Sequence, residues 1–491
     1  MQRRHERKFI NAAMLFKVIG WLLMIESMFM IVPFAVSLYY GESDWVPFAC
    51  GAAITAFVGL IMTTRIKART SRMGRREGFL LTAAVWIIFS LFGMIPLIFS
   101  SSPITPTDAF FETISGFTTT GATIYPSAED LSHGIHIWRA LMQWIGGMGI
   151  ILFTLAVIPM LNSAGGMQMF NAEVTGITHD KVRPRISQTA KALWLLYIAL
   201  TISTFALLAL GPMDVFDAIC YAFGTASTGG YSTKDSIEFF ASDYVKIIIT
   251  IFMFLSSVNF GLQIRAIYNS PRRLLKDETF LAFFFITIIA TLIITVTLLI
   301  NGRSSDGSDV IIDPLFQVVS AFTSTGYAIE QFPSWGPFVM TMLLVLVFIG
   351  GCSGSTTGGV KLDRIIFLAK YCKNELYRCI HPNSVQSVRI NGKIQSPSVV
   401  QKVAVFFCMF VALLIGGVWI MTLTGMTPGD SFISGLVCVS NSALDMGYTS
   451  FGSNFAGLPC VAKWVLAAMM LIGRLELFTV LILFTPAFWR K

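Results

Sequence analysis

Apolar residues recur along this chain in long runs, from one end to the other. A helix needs about 20 predominantly apolar residues to cross the hydrocarbon core of a membrane. The pattern therefore predicts ten membrane-spanning helices, of which the eighth is long and interrupted. Their expected limits are 14–40, 46–64, 78–100, 139–161, 190–211, 245–266, 279–300, 336–371, 399–424 and 460–488.

The composition agrees with a membrane protein. Of the 491 residues, 55% are hydrophobic and 13% are charged, whereas a soluble domain usually carries about 25% charged residues. The apolar run behind the basic N-terminus is too long for a cleavable signal peptide, so it is expected to be the first span. The eight cysteines are scattered, which favours ordinary thiols over a disulfide scaffold or a zinc site.

Lys and Arg residues concentrate in alternate connections, after the second, fourth, sixth and eighth spans and at the end of the chain. By the positive-inside rule these connections face the cytoplasm. Both termini are then cytoplasmic, as an even number of spans requires. The net charge of +8 thus indicates membrane topology and not nucleic-acid binding.

Four of the outer connections contain a shorter apolar stretch followed by a cluster of Thr, Ser and Gly. Ten helical residues cover about 15 Å, half of the hydrocarbon core, so such a segment enters the membrane and returns. An Asp is expected to cap each short helix. The Asp and the Gly of each segment are Asp108 and Gly121, Asp217 and Gly230, Asp313 and Gly326, and Asp430 and Gly447; the fourth segment is the longest.

This unit of span, half-helix, polar return and span occurs four times after two leading spans, which predicts an internal repeat. The expected fold is an all-α integral membrane protein: two leading helices, then four helix–re-entrant pore helix–helix repeats around a pseudo-fourfold pore. The expected divisions are 1–72 for the two-helix N-terminal extension, 73–162 for pore repeat 1, 186–267 for pore repeat 2, 277–372 for pore repeat 3 with the broken gating helix, and 398–491 for pore repeat 4.

The polar returns have the chemistry of an ion-selectivity filter. A pore that removes water from a potassium ion offers rings of backbone carbonyl oxygens, assisted by hydroxyls. Glycine allows the backbone conformations in which carbonyls aim at one axis. One such cluster is weak support, but four in register predict a filter. The candidate ion-binding residues are Thr119, Thr120, Gly121, Thr228, Gly229, Gly230, Ser324, Thr325, Gly326, Asp445, Met446 and Gly447.

Five motifs together resemble one family over nearly the whole chain. They are GFTTTGA from Gly116, QWIGGMG from Gln143, STGGY from Ser227, GGCSGS from Gly350, and Gly473-Arg474. The chain is similar to the TrkH/TrkG/KtrB superfamily of potassium uptake proteins, of the TrkH type. The resemblance implies potassium uptake across a bacterial plasma (inner) membrane, a homodimer in the lipid, and cytosolic TrkA-like nucleotide-binding regulatory subunits. Potassium in the pore is the only bound cofactor expected.

The fourth segment departs from the family pattern, because Asp445 and Met446 stand where Asn and Leu are usual. A carboxylate there could strengthen cation binding or alter selectivity; it could equally turn away and cap a backbone amide. In the family, Gly in all four repeats goes with potassium preference and Ser in the first goes with sodium. Gly121 therefore favours potassium.

The eighth span is interrupted by the sequence GGCSGSTTGG, whose glycines cannot hold a regular helix. Its spacing does not match a phosphate-binding loop. It is either a passive hinge or a mobile intramembrane gate, and the resemblance favours the gate. The candidate gating residues are Gly350, Gly351, Ser353, Gly354, Ser355, Thr356, Thr357, Gly358, Gly359 and Arg474.

Charged residues inside predicted spans are costly and need a partner or water. Arg474 and Glu476 could pair with each other; alternatively, as the family implies, Arg474 faces the pore below the filter as a barrier to cations. Arg139 is expected to reach the membrane interface. Asn259 is expected to make an interhelical hydrogen bond.

The sequence also bears on two alternatives to a potassium pore, a membrane enzyme and a coupled or sodium-preferring transporter. A polytopic membrane enzyme would need a cluster of His, Asp or Glu for acid–base or metal chemistry, and the sequence shows none. Within transport, ions could pass by gated diffusion or by symport coupled to sodium or protons, or the pathway could prefer sodium. Asp445 and Glu476 are the candidates for a coupling site.

Overall fold

The computed structural model describes residues 11–66, 74–149, 186–302, 309–329, 332–442, 444 and 454–490. Within these residues the secondary structure is helical apart from one small antiparallel hairpin of β1 (Arg389–Ile390) and β2 (Lys393–Ile394). The prediction of an all-α membrane fold is confirmed.

The α-helices are, in order, α1 (Ala12–Tyr39), α2 (Trp45–Arg65), α3 (Arg75–Gly93), α4 (Ile95–Ile98), α5 (Pro106–Phe117), α6 (His133–Gly147), α7 (Ile186–Ala209), α8 (Val215–Ser227), α9 (Asp243–Ser257), α10 (Phe260–Tyr268), α11 (Glu278–Ile300), α12 (Asp309–Phe322), α13 (Pro337–Ile349), α14 (Leu362–Ile380), α15 (Pro397–Leu423), α16 (Pro428–Val439), α17 (Cys460–Arg474), α18 (Phe478–Leu481) and α19 (Pro486–Trp489). Short 3-10 turns lie at Ile237–Phe240, Pro271–Lys276, Phe332–Trp335 and Ile482–Phe484.

The leading helices α1 and α2 pack against each other through glycine. A Cβ added at Gly20 would lie 2.9 Å from the carbonyl oxygen of Gly59, and one added at Gly59 would lie 2.8 Å from the carbonyl oxygen of Gly20. Small residues let membrane helices approach this closely. The pair is therefore one packed unit on the outside of the repeats.

Four half-length helices follow the first helices of the repeats. They are α5, α8, α12 and α16, of 12, 13, 14 and 12 residues. At about 1.5 Å per residue they cover roughly half of the membrane. The predicted re-entrant helices are thus present in all four repeats.

The N-caps of these half-helices differ from the prediction. Thr105, Asp214 and Thr427 accept the capping hydrogen bonds in repeats 1, 2 and 4. The predicted caps of those repeats, Asp108 among them, lie in the first turn instead, and in repeat 3 the helix begins before Asp313. An acidic side chain in the first turn still favours the positive end of the helix dipole.

The second helix of each repeat stops at a similar length. The helices α6, α9, α13 and α17 contain 15, 15, 13 and 15 residues. The sixth and tenth spans, predicted as continuous, are bent by 97° between α9 and α10 and by 109° after α17. Asn259 caps α10 at the first break, and Glu476 and Leu477 take positive φ angles of 51° and 52° at the second.

The described residues contain six helices long and apolar enough to span a membrane, or up to eight if each bent pair is one span. Two of the ten predicted spans, the fourth and the eighth, are not among these helices. The fourth span runs beyond residue 149 into residues outside the description, and the eighth begins with the shorter helix α13. The chain is a multi-pass membrane protein.

The four repeats close into a ring. The second helix of each repeat packs against the half-helix of the next: α6 on α8, α9 on α12, α13 on α16, and α17 on α5. Two of these contacts carry an ion pair, Lys246 with Asp313 at 2.7 Å and Lys463 with Asp108. The half-helices therefore end around a common axis.

Candidate ion pathway

Three glycines from three repeats line one cavity. Gly121, Gly230 and Gly326 have φ angles of 83°, 82° and 89°, a region that favours glycine. They lie in the wall of a cavity of about 260 Å³. A Cβ added at Gly230 would lie only 2.0 Å from the carbonyl oxygen of Thr325 in the next repeat, so the segments meet backbone to backbone.

In repeats 1, 2 and 3, one residue just after the half-helix takes a left-handed backbone conformation. The φ angles are 53° at Thr119, 52° at Thr228 and 53° at Ser324, and all three residues are almost fully buried. A non-glycine residue pays strain energy for this conformation, and such strain concentrates at functional sites. Repeats 1, 2 and 3 thus present the same unusual backbone turn, at which the sequence placed candidate ion-binding residues.

The fourth segment makes this turn at Asn441. Its φ angle is 49°, and Ser442 N donates to Val437 O at 3.0 Å, as Thr120 N does to Ser115 O at 2.9 Å. The fourth-segment candidates of the sequence, Asp445, Met446 and Gly447, lie outside the described residues.

A signal for Asn441 was present in the sequence. Asn441 follows Asp430 at the spacing that separates Asp108 from Thr119. Aligning the repeats on this spacing, instead of on the next glycine, would have selected Asn441. Its Nδ2 donates to Thr120 Oγ1 at 3.0 Å and to the carbonyl oxygen of Met470 at 2.9 Å, so it joins repeat 4 to repeat 1.

Hydroxyl pairs hold the segments that follow α5 and α12 in place. The hydroxyls of Thr118 and Thr120 lie 2.8 Å apart, and those of Thr323 and Thr325 lie 2.7 Å apart. These pairs are internal to their segments. Of the four threonines predicted to bind the ion, Thr120 and Thr325 therefore have hydroxyls engaged within their own segments.

Gln143 on α6 holds the segment of repeat 2. Its Nε2 donates to the carbonyl oxygen of Gly229 at 2.6 Å, and its Oε1 accepts from Tyr231 N at 3.0 Å. A Cβ added at Gly229 would lie 2.4 Å from the amide carbon of Gln143. The Gly229 carbonyl is thus bonded to protein, and Gly229 is required for this contact.

Arg139 does not extend to the interface as predicted. It is 3% exposed and pairs with Glu112, which is fully buried, at 2.8 Å. Glu112 also accepts from Ile124 N at 3.0 Å, and the guanidinium lies 4.1 Å from the ring centre of Tyr231. This pair, which the sequence analysis did not predict, supports the segment that follows α5 through Ile124 and Thr123. Burial, followed by the charge of Glu112, raises the pKa of the nearby Tyr125 hydroxyl.

The interruption after α13 is a mostly buried loop; we call residues 350–361 the gate loop, after the role that the sequence predicts for it. Gly358 N donates to Ser324 Oγ at 2.7 Å, and Gly359 N donates to the carbonyl oxygen of Ser440 at 2.9 Å. The Thr228 hydroxyl bonds to Thr356 Oγ1 at 3.1 Å. The loop therefore contacts three of the four segments that follow the half-helices.

The other side of the gate loop is fixed to the break in repeat 2. Cys352 N donates to the carbonyl oxygen of Ser257 at 3.1 Å, and Phe260 N donates to that of Gly354 at 3.0 Å. Asn259 Nδ2 donates to the carbonyl oxygen of Ser353, so the hydrogen bond predicted for Asn259 goes to the gate loop and not to another helix. The break between α9 and α10 thus supplies the polar groups that hold the loop.

The gate loop is shaped by glycines with positive φ angles and by hydrogen bonds with its neighbouring residues. Gly350, Gly354 and Gly359 have φ angles of 72°, 76° and 79°. The Gly351 carbonyl accepts from Leu362 N at 3.0 Å, and the Ser355 hydroxyl donates to the Cys352 carbonyl at 2.6 Å. Thr357 accepts from Lys361 Nζ, and Ser353 N donates to the Asp363 carboxylate at 3.2 Å. The loop is ordered by its own polar groups.

Arg474 lies beneath the gate loop. Its Nη1 donates to the Thr356 carbonyl at 2.7 Å, and its Nη2 donates to the carbonyls of Gly146 and Gly147 at 2.8 Å and 3.0 Å. Glu476 is not paired with Arg474 in these contacts but with Arg364 on α14. The cationic side chain therefore bridges the loop and repeat 1.

Gly146 and Gly147 on α6 allow neighbouring segments to pack closely against this helix. A Cβ added at Gly146 would lie 1.8 Å from the carbonyl oxygen of Phe117, at the end of α5. At Gly147 it would lie 2.6 Å from the Tyr197 hydroxyl.

Among the residues that the structure describes, no three His, Cys, Asp or Glu side chains come together as a metal site.

Comparisons with known proteins agree with this architecture. The TrkH family, described as a cation transport protein, matches residues 47–491. The Trk system potassium uptake protein TrkH of Escherichia coli K12 is 37% identical over 479 residues, which are 97% of this chain and 99% of that protein. The TrkH protein of Halomonas elongata is 36% identical over 491 residues, covering 98% of this chain and 100% of that protein.

A solved structure is similar throughout. It is the crystal structure of the potassium transporter TrkH from Vibrio parahaemolyticus, with a TM-score of 0.88 and 34% sequence identity. The match covers 98% of this chain and 100% of that chain. Fold, family and the four-repeat architecture are thus the same.

Proposed function

Because this chain belongs to the TrkH family of cation transport proteins, we propose that it takes up potassium ions through a gated pore at the axis of its four repeats. The observation that carries the proposal is the convergence of Gly121, Gly230 and Gly326 on one cavity, each with a positive φ angle. Relatives that share more than a third of the sequence are named potassium uptake proteins.

The filter is proposed to consist of the carbonyl and hydroxyl oxygens that follow the four half-helices. Helix C-termini carry partial negative charge, which attracts a cation, and close oxygens replace its water. Thr119, Thr228, Ser324 and Asn441 are the residues at equivalent backbone positions. In this proposal Asn441 is the fourth-repeat member, and Asp445, Met446 and Gly447 stay predictions.

The gate loop is proposed to block the path below this filter. It is buried, contacts three of the four segments, and is held from beneath by Arg474. A fixed cation close to the axis disfavours passage of another cation. Ion flux then requires the loop and Arg474 to move together, driven by a conformational change elsewhere.

Gated diffusion is preferred here to coupled symport. A coupling site needs a titratable group free to bind the second ion, and Glu476, one of the two sequence candidates, is engaged by Arg364. The membrane potential alone supplies about 2.3 kcal/mol per charge per 100 mV. At equilibrium that energy concentrates potassium about 50-fold per 100 mV without a second ion.

We further propose that the protein works as a homodimer in the bacterial inner membrane with both termini in the cytoplasm, gated by cytosolic nucleotide-binding subunits. The basic connections support this orientation through the positive-inside rule. The helix α14 continues from the gate loop toward those connections, and its N-terminal part is tied to the ring through Arg364. It is the natural route by which a partner could move the loop.

The experiment is potassium-limited growth of a bacterial strain that lacks its own uptake systems, expressing this chain with a TrkA-like subunit. We expect growth to be rescued by the wild type and abolished by Gly230→Ala, whose Cβ would meet the Thr325 carbonyl. Gly425→Ala is the matched control, since Gly425 also has a positive φ angle, of 92°, but no atom within 4 Å of the added Cβ. Failure of the wild type to rescue, in a membrane-inserted protein, would contradict the proposal.

A further inference from the structure

A tyrosine follows the glycine of the proposed filter in repeats 2 and 3, and its hydroxyl crosses to the preceding repeat. Tyr231 Oη donates to the carbonyl oxygen of Glu112 on α5 at 2.9 Å. Tyr327 Oη donates to the carbonyl oxygen of Tyr221 on α8 at 3.4 Å. Both donor tyrosines are 3% exposed. Each of these side chains therefore joins the filter segment of one repeat to the half-helix of its neighbour.

The two contacts are equivalent in the repeat. Glu112 stands four residues after Asp108, and Tyr221 stands four residues after Asp217. Both donor tyrosines stand three residues after the left-handed turn of their own segment. The same bond thus connects the same two positions of adjacent repeats, so it belongs to the design of the repeat. We call the two side chains the tyrosine struts.

The other two repeats have no hydroxyl at this position. Three residues after their left-handed turns stand Ala122 in repeat 1 and Leu444 in repeat 4. At the junction of repeats 4 and 1 a backbone bond is found, from Phe455 N to the Thr123 carbonyl at 2.9 Å. Within the described part of the chain, the tyrosine struts therefore join repeat 2 to repeat 1 and repeat 3 to repeat 2.

The strut at Tyr231 is fixed at both ends. Its hydroxyl also lies 3.3 Å from the carbonyl oxygen of Ala122, the residue directly after Gly121. Its backbone N donates to Gln143 Oε1 at 3.0 Å, and the Arg139 guanidinium lies 4.1 Å from its ring centre. The ring thus sets the spacing between the filter segments of repeats 1 and 2.

The strut at Tyr327 needs a glycine opposite it. A Cβ added at Gly224 on α8 would lie 2.4 Å from Tyr327 Oη. The Tyr327 carbonyl accepts from Ser320 Oγ at 2.6 Å, and its ring centre lies 5.3 Å from that of Tyr221. This side chain is therefore also held at both ends, between repeats 2 and 3.

A fixed spacing between oxygen rings favours one ion over another. Filter oxygens replace the water of an ion that fits between them, and a smaller ion gains less when the ring cannot contract around it. Sodium is smaller than potassium. Tyrosine is a suitable spacer, because its ring is rigid, it has two χ angles, and its buried hydroxyl needs a partner. The struts therefore oppose the contraction that would favour sodium.

We propose that Tyr231 and Tyr327 are positioning residues for ion preference, which hold the filter segments of repeats 1, 2 and 3 apart without contacting the ion. The inference rests on the proposed function and deepens it. Its consequence is an uneven filter. The spacing among repeats 1, 2 and 3 depends on two hydroxyls, whereas repeat 4 is held by other contacts, such as that of Asn441 with Thr120.

The test removes each hydroxyl and keeps the ring, in Tyr231→Phe and Tyr327→Phe. Rubidium and sodium uptake are measured in liposomes containing the purified chain under an inside-negative potential. We expect the ratio of rubidium to sodium uptake to fall severalfold in each variant, with about fivefold as the upper limit, because one ordinary hydrogen bond contributes about 1 kcal/mol. Two independent variants keep the test valid where one of them does not insert into the membrane.

Tyr244→Phe is the matched control. The Tyr244 hydroxyl also donates to a backbone carbonyl, that of Leu207 at 2.8 Å, but outside the filter segments. This variant should retain the wild-type ratio.

Thermal unfolding of the solubilised protein in potassium chloride and in sodium chloride gives a second readout, which does not depend on flux. An ion that binds the folded state raises the Tm in proportion to its affinity. We expect the wild type and Tyr244→Phe to have a higher Tm in potassium than in sodium. In the two strut variants this difference should shrink.

An uptake ratio and a salt difference that stay at the wild-type values in both strut variants would overturn the inference, even where the Tm falls equally in both salts, because the tyrosines would then be structural only. The proposed function stands in that case as long as the wild type takes up rubidium. Absence of rubidium uptake by the wild type would contradict the proposed function instead, and the salt difference would still decide the role of the struts.

Discussion

Arg474 Nη1 donates a hydrogen bond to the carbonyl oxygen of Thr356 at 2.7 Å. Through this bond a cation on the last repeat holds the gate loop, while its other nitrogen contacts the Gly146 and Gly147 carbonyls of repeat 1. A hydrogen bond to a charged group contributes about 1.5–3 kcal/mol. The contact is therefore large enough to set the balance between a docked and a released loop.

Replacing Arg474 tests this role. We expect Arg474→Ala to raise rubidium influx in the absence of the regulatory partner by at least about tenfold, because about 1.5 kcal/mol or more of closed-state stabilisation is lost. Influx into cells lacking the partner gene measures the effect. Arg474→Lys, which keeps the charge but cannot bond three carbonyls in one plane, should give an intermediate influx, and an influx equal to that of the wild type in Arg474→Ala would contradict the role.

Gly358→Ala tests the docking of the loop by steric means. The added Cβ would lie 1.8 Å from the Ser440 carbonyl, too close to be accommodated without displacing the loop. We expect partner-independent influx at a level above that of the wild type. Gly416→Ala is the matched control, since a Cβ at Gly416 on α15 meets no atom within 4 Å. A closed Gly358→Ala variant would show that the loop is not the barrier.

Gly121→Ser addresses ion preference. Gly121 has a φ angle of 83° in the wall of the outer cavity, and a side chain there costs about 1–2 kcal/mol of backbone strain and turns the local carbonyl. We expect a lower ratio of rubidium to sodium uptake. Gly41→Ser carries similar strain at φ 70° in open space and should leave the ratio unchanged; an unchanged ratio in Gly121→Ser would remove Gly121 from the filter.

Glu112→Gln tests the buried ion pair behind the first segment. The substitution leaves the Arg139 guanidinium buried without its anion, at an expected cost of about 3–5 kcal/mol. Thermal unfolding of the solubilised protein should shift to a clearly lower temperature. Glu375→Gln breaks a pair with Arg378 in which both side chains are more than a third exposed, worth about 0–1 kcal/mol, and equal shifts for the two variants would contradict the assignment.

The half-helices and the gate loop could be predicted because their signals are local. An apolar run too short to cross, followed by a polar cluster, indicates re-entry wherever it occurs, and a glycine-rich interruption excludes a regular helix. The fourth filter segment shows the limit of such reasoning. The sequence prediction aligned the fourth segment with the others at Gly447, whereas the backbone turn lies at Asn441, at the spacing shared by all four segments.

The breaks in the second helices could not be predicted from hydrophobicity. Polar residues such as Ser257 and Asn259 stand at the first break and Arg474 and Glu476 at the second, but apolar residues lie between and beyond them, so hydrophobicity alone does not indicate a bend. The chain bends there because tertiary partners satisfy the backbone: Asn259 caps α10, and the Ser257 carbonyl accepts from the gate loop. Such partners are distant in sequence and carry no periodic signal.

Ion pairing was likewise beyond sequence reasoning. Arg474 and Glu476 are near neighbours in the sequence, which suggested an ion pair between them. Glu476 instead pairs with Arg364, and Arg474 donates to backbone carbonyls. A residue two positions away on a helix faces a different direction, which already argues against a local pair. Which distant group each charge meets depends on how the repeats assemble.

The most direct measurement is uptake of radioactive rubidium and sodium into liposomes containing the purified chain, under an inside-negative potential, for the wild type and Gly358→Ala side by side. We expect rubidium uptake well above sodium uptake in both proteins, and faster uptake in Gly358→Ala. Sodium uptake equal to or above that of rubidium in both proteins would contradict a potassium-selective pore gated by this loop.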